Sequence, residues 1–124
     1  MNRFDRLTGK ERQVALEFVE RVRQRFDGQL LSALLFGSRA RGEAKPDSDM
    51  DVLLVMSRAD PEVRKEIRYL AVELWLEHDI YLSTRVWSQA HWRKLEELQT
   101  LLYRNIRQDG INLLDPSPAP ADSK

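Results

Sequence analysis

The chain reads as a small α/β domain whose sheet has at least three strands, and three observations lead there. Short apolar runs over 30–36 and 52–55 are bounded by turn-forming residues. Around them lie longer segments whose apolar residues recur at three- and four-residue steps, the period of an amphipathic helix. A third strand-like run, 79–84, follows the second such segment, so helices and strands alternate.

Thr8-Gly9-Lys10-Glu11 has the form of a capping box, and the helix it starts carries Val14, Ala15, Phe18, Val19, Val22 and Phe26 on one side. Asp27-Gly28 ends it. Residues 30–36 form a nearly continuous apolar strand, broken by Gly37-Ser38, where Ser38 can cap a short turn through Arg41. A polar loop containing Pro46 leads to a second strand over about 49–56. Asp60-Pro61-Glu62 starts a helix: a capping side chain, a proline at the first helical position and an acid in the first turn. This helix should reach about Glu77. Val63, Ile67, Leu70, Ala71 and Leu74 make one stripe, while Tyr69, Val72, Trp75 and Leu76 add apolar surface on other sides, as on a helix that is deeply buried or covered by a partner. The strand over 79–84 follows. Ser88 caps a helix carrying Trp92, Leu95 and Leu98, and a last helix runs from Leu101 to about Gln108 before Gly110. Residues 1–114 read as one domain and 115–124, PSPAPADSK after Asp115, as a disordered tail.

The length of 124 residues allows one core. Twenty basic and twenty acidic residues cancel, which disfavours an extended nucleic-acid footprint, since sequence-independent binding to nucleic acid rests on a positive excess. Without cysteine there is no disulfide framework and no thiolate metal site, as expected of a reducing compartment. No apolar run approaches the roughly 20 residues that span a bilayer, and the polar start lacks a signal peptide's apolar stretch. A cytoplasmic protein without a membrane segment is the expectation.

Chemistry concentrates in 36–55, FGSRARGEAKPDSDMDVLLV. Side chains alternate along a strand, so Asp49 and Asp51 share a face and Met50 points away. Two like charges at the head of an apolar strand repel and are costly to bury. A divalent cation relieves that cost, and oxygen-only ligands select a hard one such as magnesium. The Gly-Ser turn would hold the anion that accompanies it, which outlines a nucleoside triphosphate site.

Gly37-Ser38, ten intervening residues and Asp49-Met50-Asp51, set between apolar strands, resemble the signature of the minimal nucleotidyltransferases of the DNA polymerase β superfamily. Residues 102–106 with Gly110 are similar to the end of small bacterial domains of this group, so the resemblance covers about 10–114. It implies a mixed sheet with flanking helices, the nucleotidyltransferase fold of the polymerase β type. The implied reaction moves a nucleoside monophosphate from a triphosphate, ATP by default, to a hydroxyl with release of pyrophosphate. Two magnesium ions would be held by Asp49 and Asp51, with Asp79 as a third carboxylate. It also implies a partner on another chain: small members of this kind act as antitoxins beside a HEPN-domain ribonuclease toxin, and some adenylylate its tyrosine. Two alternatives stand beside this, transfer to a small molecule or RNA end, and a non-catalytic antitoxin that blocks its partner by binding.

Gly37 would let backbone approach phosphate, Ser38 would offer a hydroxyl and a helix-start N–H, and Arg39 and Arg41 would neutralise phosphate charge. Lys45 is an even match between that role and a solvated loop, and Ser48 can cap the turn into the strand. His78 and His91 lack metal-ligand spacing and read as structural or solvent-facing. Trp75, Trp87 and Trp92 read as core or interface rather than base-stacking residues.

Overall fold

The computed structural model describes residues 7–37, 40 and 49–114. Helix α1 (Gly9–Arg25) starts at the expected box: the Thr8 hydroxyl accepts from Glu11 N–H at 3.1 Å, and Glu11 Oε1 accepts from Thr8 N–H at 2.8 Å. Strand β1 (Leu30–Phe36) pairs antiparallel with β2 (Met50–Met56). Helix α2 (Pro61–His78), capped by Asp60 with Pro61 in its first turn, crosses over to β3 (Leu82–Ser88), which lies parallel to β2. Helices α3 (Gln89–Leu98) and α4 (Leu101–Asp109) follow, capped by Ser88 and Thr100. A two-residue strand, β4 (Ile111–Asn112), then pairs antiparallel with β1, giving the sheet order β3-β2-β1-β4. The architecture is the expected mixed sheet with flanking helices, with a fourth strand added.

Strand alternation sorts the sheet's residues into two cores. Ala33, Leu35, Val52, Leu54, Met56, Leu82 and Val86 join Val14, Phe18 and Val22 of α1 and Val63, Ile67 and Leu74 of α2 in the larger one. Leu53 and Val55 form a smaller one with Ile106 of α4, flanked by Leu34, Phe36, Trp87 and Trp92. The odd-numbered face of β2, which carries Asp51, therefore faces the α3–α4 side.

α2 is longer and β3 later than the sequence suggests. No breaker stops the helix at Glu77, so it runs through His78 and closes at Asp79, whose left-handed backbone (φ 59°, ψ 30°) lets its N–H donate to Trp75 O at 2.8 Å. Asp79 thus caps a helix instead of opening a strand, and β3 begins three residues on. Val63, Ile67, Ala71 and Leu74 are buried, whereas Tyr69, Val72, Trp75 and Leu76 are exposed, with Leu76 80% so. Arg21 ties α1 to α2: it donates to Glu77 Oε1 at 2.9 Å and to Glu17, and lies 3.6 Å from Glu73.

Candidate functional site

The site is assembled by the β1–β2 register. Phe36 pairs with Asp51, so the first residue beyond β1, Gly37, arrives against the Asp51 side chain. Gly37 has φ +81°, and a Cβ there would overlap Asp51 Oδ2 and lie 3.3 Å from Asp51 Cγ. Position 37 therefore excludes other residues twice over, by backbone conformation and by lack of space. Met50 is fully buried and its N–H donates to Tyr81 O at 3.2 Å. Asp49, just before β2, is exposed and Asp51 is half-buried, so the two carboxylates face away from the core that takes Met50.

On the other side of β2, the parallel register places Ser83 beside Asp51, Arg85 beside Leu53 and Trp87 beside Val55. Asp79 is exposed and sits three residues before β3, at the end of the sheet where Asp49 enters β2. The structure brings together Gly37 and Asp51 by contact and Asp49 by chain adjacency; Asp79 stands at the same sheet end on a helix cap. Ser38, Arg39 and Arg41 lie outside the described residues, as do Lys45 and Ser48. Ala40, between them, is buried in the larger core. Sequence reading missed Ser83 and Arg85, because only the pairing register of a strand displaced from its expected place puts them on the Asp51 face.

Trp87 and Trp92 pack against the smaller core while Trp75 is exposed. His78, which the sequence gives no metal-ligand spacing, lies beside two acids brought together by the fold. Trp87 stacks on Trp92 at 6.1 Å, and Trp92 tilts against Tyr103 at 4.8 Å, beneath the smaller core. His78 joins Glu17 and Glu77 in a cluster whose ligand-type atoms lie within 4.8 Å of one another. Arg21 bonds both of those carboxylates and so fills the cation's role. The bond to Glu77 raises the Arg21 guanidinium above its ordinary value, and the same bond holds the Glu77 carboxyl below the usual carboxylate range. This ion network belongs to the α1–α2 seam, on the opposite side of the sheet from Asp51. On the Asp51 face, exposed Asp49 and half-buried Asp51 make an oxygen-only pair of the kind that suits a hard cation.

A Gly turn pressed on a strand carboxylate, with a second carboxylate two residues before it, defines the class: residues 16–111 match the nucleotidyltransferase domain, and the chain belongs to that family. The protein is a nucleotidyltransferase. Similar proteins include a candidate protein adenylyltransferase of Methanocaldococcus jannaschii, 28% identical over 100 residues that make up 81% of this chain and 94% of that one. A second from the same organism is 38% identical over 71 residues, covering 54% of this chain and 48% of its own length. Among solved structures, a toxin–antitoxin structure with AMP-PNP shares the fold at TM-score 0.54 and 20% identity, over 79% of this chain and 71% of that one. A candidate nucleotidyltransferase from Sulfolobus solfataricus does so at TM-score 0.51 and 23% identity, over 82% and 77%.

Proposed function

We propose that this nucleotidyltransferase moves AMP from ATP to a hydroxyl of a partner protein, a tyrosine of a HEPN-domain toxin, and so acts in the cytoplasm as an antitoxin. The observation that carries the reading is the contact between Gly37 and Asp51, which joins a phosphate-type turn to a metal-type carboxylate. The protein adenylyltransferase and toxin–antitoxin relatives support the acceptor and the partner.

Asp49 and Asp51 would hold two magnesium ions, with Asp79 as the third carboxylate; bound there, the ions supply charge neutralisation and acidify the attacking hydroxyl. The chain's own work is positional. Gly37 opens the backbone to the triphosphate, Ser38 adds a hydroxyl, and Arg39 and Arg41 balance phosphate charge. The acceptor hydroxyl attacks the α-phosphorus in line and pyrophosphate leaves on the far side.

The test is transfer of α-labelled AMP from ATP to a purified HEPN-domain toxin with magnesium. Asp49→Asn and Asp51→Asn should each lower transfer by at least roughly 100-fold, a loss typical of a group that stabilises charge in the transition state. Far-UV circular dichroism should stay at wild type, because the change is isosteric at exposed and half-buried positions. Asp79→Asn should impair transfer as well. Wild-type transfer by Asp51→Asn would refute the mechanism, and an Asp49→Asn protein that still silences the toxin would mark a binding-only antitoxin.

A further inference from the structure

In-line displacement divides the site into two sides, because attacking and leaving oxygens stand on opposite sides of the phosphorus. If pyrophosphate departs over the Gly37 turn, on the β1 side of Asp51, the acceptor hydroxyl approaches over β3. Register and alternation put Ser83, Arg85 and Trp87 on the Asp51 face of β3. Ser83 and Trp87 are half-buried and Arg85 is exposed.

On this face Asp51 stands diagonally from Arg85, and no direct cross-strand or along-strand neighbour of Arg85 on the face is charged. Its cross-strand neighbour is Leu53, and Ser83 and Trp87 flank it along β3. Among the described residues it makes no ion pair and no hydrogen bond. Strand spacings place its Cα about 8 Å from that of Asp51, and an extended arginine is long enough to span to a group lying over Ser83. A planar, always-charged fork in that place suits a carboxylate better than it suits solvent alone. α2, packed on the sheet's other face, carries exposed apolar surface of its own. Trp75 and Tyr81, both exposed, meet edge to face at 5.2 Å, and Tyr69, Val72 and Leu76 continue the stripe along α2. A protein can cover such a stripe, and a small metabolite cannot.

We propose that Arg85 is the acceptor-recognising residue of this site, and that it selects a protein hydroxyl flanked by acidic side chains. The inference rests on the nucleotidyl-transfer reading. In the step itself the acceptor O–Pα bond forms, the Pα–O bond to pyrophosphate breaks and the hydroxyl proton passes to solvent. Arg85 stays protonated throughout and only holds the acceptor.

The experiment compares wild type, R85A, R85K and R85E on two tyrosine peptides, one with glutamates flanking the tyrosine and one with lysines, with magnesium and α-labelled ATP. Wild type should label the acidic peptide with a kcat/KM at least about tenfold above the basic one, the scale of one charge-assisted hydrogen bond. R85A should abolish the preference, R85K should keep part of it and R85E should invert it. The effect should lie in KM for the peptide, and the Kd for ATP should stay within about twofold across all four proteins. The proposal is overturned if R85A keeps the acidic preference, if wild type shows none or labels neither peptide, or if R85A weakens ATP binding tenfold, which would assign the arginine to the nucleotide. Failure of wild type to bind ATP with magnesium overturns the nucleotidyl-transfer reading itself, and this inference with it.

Discussion

A methyl group at position 37 meets two obstacles. The backbone there is left-handed, which costs an L-residue roughly 1–2 kcal/mol, and the space Cβ would need is taken by Asp51 Oδ2. Gly28 makes the useful comparison: it has φ +76° but nothing within 4 Å of the Cβ position. Gly28→Ala should therefore show backbone strain alone, about 1 kcal/mol in denaturant unfolding, with transfer unchanged. Gly37→Ala should pay the same strain and also displace the Asp51 carboxylate, lowering transfer by at least roughly tenfold as a misplaced ligand does. Equal activity of the two variants would show that the Gly37–Asp51 contact has no part in the chemistry.

At the scale of elements, Tyr103 fastens α4 to α3. The Tyr103 hydroxyl donates to Glu96 Oε2 at 3.2 Å while its ring packs on Trp92. Burial, and after it the Glu96 bond, pushes the Tyr103 phenol above its ordinary value. A folded-state value above the unfolded one gives stability that is fully present below about pH 10 and is lost as pH rises through the raised value. The stability gap between wild type and Tyr103→Phe, read from urea midpoints, should be constant through neutral pH and close above pH 10. A gap that does not change with pH would mean that the hydroxyl is not held as described. Most elements are legible because local chemistry marks them: Thr8 with Glu11, Asp60-Pro61, Ser88 and Thr100 each cap a helix that starts where they stand. β1 is likewise legible as a nearly continuous apolar run between turns, broken only by Ser32. β3 is not, for two physical reasons. Ile80 and Tyr81 look strand-like while the chain is still leaving a helix through the left-handed Asp79, and the later half of the strand carries exposed Arg85 because it forms the sheet's edge. β4 has two residues, too few to show any period. The same limits govern the site. Asp49, Asp51 and Gly37 are local in sequence or fall at strand ends, whereas Ser83 and Arg85 join them only through a register set by the length of the α2 crossover.

At the scale of the whole molecule, the sheet's Asp51 face depends on the end of the chain. Leu53 and Val55 are buried by Ile106 of α4, and β1 is kept from being a free edge by β4. Ending the chain at residue 98 would remove α4 and β4 together, stripping Ile106 from the core of Leu53 and Val55 and leaving β1 open to pairing with another chain. Such a protein should lose its cooperative thermal transition and aggregate. A milder change at the same place, Ile106→Ala, should keep the fold and cost about 3 kcal/mol, as expected for a fully buried branched side chain. Ending the chain at 114 is the opposite case. The removed residues, 115–124, carry no large apolar side chain, and the sequence leads one to expect that they add nothing to the core. Its melting temperature should fall within about 2 °C of the full chain's, less than the 4–8 °C or so that 1 kcal/mol shifts a domain of this size. Scanning calorimetry of the three proteins checks the boundary directly: a large loss on removing 115–124 would place those residues inside the domain, and a cooperative transition in the chain ending at 98 would show that the sheet does not need its last helix.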